Sequence, residues 1–143
     1  MLVDCDKTER TGEMNIEGYF SLSNRVIRIS SQVSKSKKKK LCNGIKSDDE
    51  YMHFILIGQL GKYIDTENSV YGNTSMKELL DFASSIIYEV KNRIVCSNIL
   101  LECRKPSGKD DTGRIKLHQM YQDLGFQYLQ ESDGLIQYYF RIK

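Results

Sequence analysis

Three side chains of this 143-residue sequence stand out as candidates for acid–base chemistry, Tyr121, Glu102 and His53, and they lie far apart in the chain. Tyr121 lies in Lys116–Phe126, KLHQMYQDLGF, where Leu117, Met120, Tyr121 and Leu124 recur at helical spacing and share one face. Gly125 can take the left-handed conformation that stops a helix, and Phe126 opens an apolar strand. Glu102 ends the apolar run Asn98–Cys103 and could take up a proton through water, although a carboxylate at a strand end is more often an ion-pair partner. His53 starts another apolar run and is the second candidate base; a lone histidine there is more often structural. The sequence shows no Ser-His-Asp or Cys-His arrangement, which is no objection to a transfer made directly between two bound substrates, since that needs no enzyme nucleophile. Cys5, Cys42, Cys96 and Cys103 form no C-x-x-C pair and lie far in sequence from His53 and His118, which argues against a zinc site.

These residues need elements to hold them. Phe54–Ile57 is a continuous apolar run within Tyr51–Ile64, the pattern of a central strand covered on both faces. Gly58 and Gly61 interrupt it and predict a bulge or the close approach of another backbone or a ligand. Asp65–Asn73 reads as a polar loop. Ser75 with Glu78 three residues on reads as a capping box opening a helix over Ser75–Asn92. Met76, Leu79, Leu80, Ala83, Ile86, Ile87 and Val90 hold one face of that helix. Ile99–Leu101 is the next buried strand. Pro106 opens a charged loop through Gly113, the Tyr121 helix follows, and Phe126–Leu129 and Leu135–Ile142 form two strands around Ser132-Asp133-Gly134. Upstream, Leu2–Cys5 is short and apolar, and Asp6–Asn15 is a polar connector. Ile16–Leu22 and Val26–Ile29 are strands of a meander, with a bend at Asn24.

Composition narrows the classes. Forty per cent apolar and 28 per cent charged residues are ordinary for one globular domain of this length. No apolar run reaches the ~20 residues of a membrane span, and the start lacks a signal pattern, so a cytoplasmic protein is expected. A net charge of +2 is too mild to imply nucleic acid. Locally, Lys35–Lys40 holds five lysines in six residues, which could meet phosphates, although a solvated helix or loop is the commoner reading of such a run.

The order strand, loop, helix, strand, helix with tyrosine, Gly-Phe, strand is that of the Gcn5-related acyl-CoA N-acetyltransferases, and the chain resembles that superfamily. The similarity is closest at LIGQLGK (Leu56–Lys62) and KELLD (Lys77–Asp81). GYFSL (Gly18–Leu22) is similar to a strand of a Gram-positive and phage-borne branch. The resemblance spans most of the chain in order and spacing. It implies one α/β (α+β) domain over residues 1–143, with a mixed, mostly antiparallel central sheet flanked by helices. It also implies acetyl-CoA as acyl donor. The pantetheine arm would lie along Gln59, Leu60 and Gly61, and the pyrophosphate on the amides of Gly72, Asn73, Thr74, Ser75, Met76 and Lys77. Tyr121 matches the tyrosine that protonates the departing thiolate, and Glu102 would relay a proton from an amine acceptor.

Two departures stand out. The superfamily's phosphate loop reads Gln/Arg-x-x-Gly-x-Gly/Ala, whereas here Thr74 and Met76 fall at the small positions and only Gly72 remains nearby. The usual opening strand and two helices before the meander are missing, so the chain reads as N-terminally short. Three functions follow: an N-acetyltransferase; the same fold, degenerate, kept as a non-catalytic binding or regulatory module; or a nucleic-acid-binding α/β domain. The acceptor of the first could be a small amine, a protein amino group or an aminoacyl-tRNA, the last being used by toxin-like members and suited by Lys35–Lys40. Tyr138, Tyr139 and Phe140 could either pair across a homodimer or complete the core.

Overall fold

The computed structural model describes residues 1–42, 50–62, 64–65, 70–71, 74–90 and 98–142. The chain opens with β1 (Leu2–Val3), α1 (Cys5–Thr11), β2 (Ile16–Arg28), α2 (Lys35–Leu41) and β3 (Tyr51–Lys62). It continues through β4 (Ile64–Asp65), β5 (Val70–Tyr71), α3 (Met76–Val90), β6 (Asn98–Arg104), α4 (Thr112–Asp123), β7 (Gln127–Ser132) and β8 (Leu135–Arg141). Among the described residues six strands form one sheet in the order β1-β2-β3-β6-β8-β7, and β4 with β5 forms a separate two-stranded sheet. Every pairing in the large sheet is antiparallel except β3 with β6, the pair joined through α3. The expected mixed, mostly antiparallel sheet flanked by helices is therefore present.

Side-chain alternation along β3 and β6 builds two cores. Ile55 and Ile57 of β3, with Ile99, Leu101 and Cys103 of β6, meet Leu80, Ala83 and Ile87 of α3 and Tyr121 of α4. Met52, Phe54 and Leu100 point to the other face, where they meet Ile29, Val33 and Leu41, the last on α2. The central strands are thus covered on both sides, as the unbroken apolar run required. Gly18 of β2 lets α3 sit close: a Cβ there would lie 2.7 Å from a Leu79 methyl.

Several elements depart from the sequence reading. The connector at Asp6–Asn15 contains α1, capped by Asp4, whose side chain accepts from the Lys7 amide, and closed by Gly12 in the left-handed region at φ 72°. That helix buries no residue, so it left no apolar periodicity to read. Asn24 makes no bend; it pairs with Ile55 in a 13-residue β2 that runs unbroken because its ladder to β3 continues on both sides of it. The Asp65–Asn73 loop carries β5, paired with β4. α4 begins at Thr112, inside the expected loop, because Asp111 caps it. Ile86, placed on the buried helix face, is 42% exposed, since Leu79, Leu80, Ala83 and Ile87 fill the stripe. β8 lies between β6 and β7 with both edges paired and with Tyr138 and Tyr139 buried, so it completes the core and offers no edge to a second copy.

Candidate functional site

The parallel pairing of β3 and β6 ends at Ile57 opposite Leu101. Beyond that point β3 follows β2 and β6 follows β8, so the two strands part. A β-bulge helps to separate them: Ser21 faces Gly58 and Tyr19 faces Gly61, which leaves one extra residue on β3. Glycines signalled this bulge, yet the residue in the left-handed region is Gln59, at φ 46°. The peptide groups of β3 past Ile57 find no strand partner on the β6 side among the described residues. The gap is a cleft of about 460 Å³, lined by Gly58, Gln59 and Leu60 on one wall, by Glu102 and Cys103 on the other, and by Leu117 and Tyr121 of α4 at its base.

Tyr121 and Glu102 reach this cleft from opposite faces of the sheet. Tyr121 packs in the α3/α4 core, near Phe126 and Tyr138 at ring separations of 6.3 and 6.1 Å. Burial, with a smaller contribution from Cys103, pushes its phenol up to about 12. No described residue hydrogen-bonds its hydroxyl. The Cys103 thiol is also raised, first by burial, and is therefore a poor nucleophile. Glu102 alternates with Leu100 and so faces the α2 side. Its Oε1 accepts from Gln137 Nε2 at 2.8 Å. Arg114, at the cleft wall, is held by an ion pair to Asp111 at 3.1 Å. Asp111 is fixed in turn by the Ser107 amide and hydroxyl, and these bonds hold its carboxyl below the usual range.

The start of α3 is arranged differently. Ser75 and Glu78 form the predicted capping box: the Ser75 amide donates to Glu78 Oε2 at 2.6 Å and the Glu78 amide to Ser75 Oγ at 3.1 Å. The Ser75 bonds lower the Glu78 carboxyl from its usual value. The Thr74 amide donates to Glu17 Oε2 at 3.4 Å, and Glu17 is only 9% exposed. Two carboxylates thus already take amides of the segment expected to hold a pyrophosphate. The Met76 and Lys77 amides remain as first-turn donors, and Lys77 is exposed. Gly72 and Asn73 lie outside the described residues.

The cleft brings together Gln59, Leu60, Glu102 and Tyr121, and it excludes His53. His53 pairs opposite Val26, five residues before Gly58, or roughly 17 Å along the strand. Gln137, Gln130 and Glu17 were not singled out in sequence. Polar residues in strands read as solvent-facing, and the Glu17 contact spans 57 positions, beyond any local pattern.

The architecture, with its parted parallel pair, bulged central strand and helix-borne tyrosine, is the Gcn5-related acetyltransferase fold. Two solved structures share it: a mutant of the AtaT toxin, at a TM-score of 0.57, and AtaTR bound with AcCoA, at 0.58. Each is 19% identical, and each match covers 92% of this chain. The chain spans 62% and 64% of their lengths, so at this identity and coverage the likeness is one of fold. No protein-family model matches the sequence, and no curated protein matches it.

Proposed function

We propose that this chain is an acetyl-CoA-dependent N-acetyltransferase that moves an acetyl group directly to an amine. The observation that carries the reading is the parting of β3 and β6 at Ile57 and Leu101, with Tyr121 and Glu102 on opposite sides of the gap. The unpaired β3 peptide groups would hold the pantetheine arm and polarise the thioester carbonyl. Glu102, from the α2 face, would first take a proton from the ammonium form of the acceptor, which frees the lone pair that attacks. Tyr121, from the α4 face, would donate to the leaving sulfur. With its phenol near 12 and a thiol ordinarily near 8.5, full transfer from Tyr121 alone is uphill. Tyr121 therefore acts as a neutral hydrogen-bond donor that passes on a proton as the amine loses one.

The acceptor side is the α2 side. Leu41 of α2 packs against Leu100, and Leu100 and Glu102 share one face of β6. Lys35–Lys40 therefore rides on the face from which the amine would enter. This supports an amine carried by a polyanion, an aminoacyl-tRNA being the chemistry that fits. Lys37 is not part of that surface, since its Nζ donates to the Tyr128 carbonyl at 2.6 Å and lies 5.5 Å from the Tyr139 ring centre. The carboxylates at α3 favour the second reading, a degenerate fold retained for binding.

Calorimetry with acetyl-CoA separates the two. Micromolar binding at one site per chain supports the enzyme, and no binding at millimolar donor removes it. Replacing Lys35, Lys38, Lys39 and Lys40 by Ala should weaken tRNA binding and flatten its salt dependence by up to about four counterions. Unchanged tRNA affinity would end the polyanion idea.

A further inference from the structure

We propose that Gln137 and Gln130 are positioning residues that fix one oxygen of Glu102 as a hydrogen-bond acceptor and leave the other facing the cleft. The inference uses the acyl-transfer reading only for what Glu102 does once held. Gln130 and Gln137 are 6% and 4% exposed, a costly burial unless every amide atom is matched. Their hydrogen bonds form a single file. The Ser30 amide lies 2.7 Å from Gln130 Oε1, Gln130 Nε2 lies 2.9 Å from the Arg28 carbonyl and 2.8 Å from Gln137 Oε1, and Gln137 Nε2 lies 2.8 Å from Glu102 Oε1.

The direction of the file follows from its backbone end. A peptide N–H can only donate, so Gln130 must turn its oxygen to Ser30. The Arg28 carbonyl can only accept, so the Gln130 nitrogen must face it, and the two anchors agree. Gln130 then donates to Gln137, which must present its oxygen, and the Gln137 nitrogen is left facing Glu102. Reversing either amide would set donor against donor at Ser30, or acceptor against acceptor at Glu102. The file therefore delivers an N–H to Glu102 Oε1 from a rigid origin 72 positions away in sequence, while Oε2 hydrogen-bonds no described residue.

The other ionisable groups lining the cleft are Cys103 and Arg104 of β6 and Arg114 and Tyr121 of α4; β3 and β8 contribute none. A purely structural zipper would tie β7 and β8 to the Arg28–Ser30 turn equally well, so the test must read Glu102 itself. In ¹⁵N-labelled protein, the Gln137 side-chain amide shifts should follow the ionisation of Glu102, and that dependence should vanish in Glu102→Gln. Gln130→Met cuts the file upstream and leaves Gln137 and Glu102 in place; solvent exchange of the Gln137 amide should quicken at least about tenfold. A Gln137 titration that persists in Glu102→Gln, or an exchange rate unmoved by Gln130→Met, overturns the proposal. Should Gln130→Met fail to fold, the comparison of wild type with Glu102→Gln still decides.

Thiol release from acetyl-CoA, with water as the probe acceptor, reads the chemical use of the file. Gln137→Met should lower kcat about tenfold with KM for acetyl-CoA unchanged; an equal kcat overturns the positioning role. Wild-type protein that binds no acetyl-CoA and releases no thiol counts against the acyl-transfer reading, and the amide measurements then judge the file by themselves.

Discussion

The two ends of the expected donor site, the β3/β6 cleft and the start of α3, are prepared in opposite ways. Where β3 and β6 part, groups stay unmatched among the described residues: β3 peptides without a strand partner on the β6 side, the Tyr121 hydroxyl, and one oxygen of Glu102. At the start of α3 it matches them, with Glu17 on Thr74 and Glu78 on Ser75. The first end costs stability, and on the proposed reading it is retained for chemistry, as unsatisfied groups in a cleft commonly are. The second end is a self-contained helix start. On the proposed reading, recognition of an acyl donor would therefore rest on the thioester and its arm more than on phosphate contacts.

Tyr121→Phe tests the first end most sharply. It should slow acetyl transfer by about 100-fold and leave acetyl-CoA affinity within about twofold, because the hydroxyl matters only as the sulfur departs. Equal rates, measured by thiol release, would place the chemistry elsewhere. Next in size is Gly18→Ala, which forces a methyl against the Leu79 side chain that seats α3. Chemical denaturation should show a loss of about 2 kcal/mol. An unchanged midpoint would mean that α3 can move off β2, and the contrast between the ends would lose its rigid frame.

Glu17→Gln combined with Glu78→Gln keeps hydrogen-bonding groups at α3 and removes two negative charges. Acetyl-CoA should bind about fivefold more tightly at low salt, with the gain shrinking at high salt, and acetyl-pantetheine, which lacks the pyrophosphate, should not change. Equal gains for both ligands would erase the distinction between the ends. The smallest effect is on alkaline stability. A phenol raised in the folded state favours folding below its unfolded value near 10, and this advantage is lost as pH climbs toward about 12. Tyr121→Phe should therefore flatten the fall in melting temperature across that window, with Tyr138 and Tyr139, also raised by burial, supplying the remainder.

Legibility in the sequence followed burial and locality. The Phe54–Ile57 run, the apolar stripe of α3, the Ser75/Glu78 box and the Tyr121 helix are patterns of neighbours, and each is present, although Ile86 leaves the stripe and α4 starts four residues early. α1 was invisible because it buries nothing, and the left-handed residue of the bulge is a glutamine that no glycine rule selects. Glu102 and Tyr121 could be chosen by type, but their opposite approach to one gap depends on strand parity across a parallel pair separated by 44 residues. The Glu17 contact at the start of α3 and the glutamine file share that origin: each joins segments that only the folded sheet brings together.

The placement of β8 has a consequence for how the molecule assembles. This strand follows β7 in the chain yet lies between β7 and β6, and its residues enter both cores. β7 has no route to the sheet except through it. Closure of the domain must therefore wait for Leu135–Arg141 to be synthesised and to slot beside β6, at separations of 31 (Arg104 to Leu135) to 43 residues (Asn98 to Arg141). A nascent chain stalled short of Leu135 would expose the β6 edge and the aromatic sockets for Tyr138 and Tyr139, which is the species a chaperone or a protease would meet first.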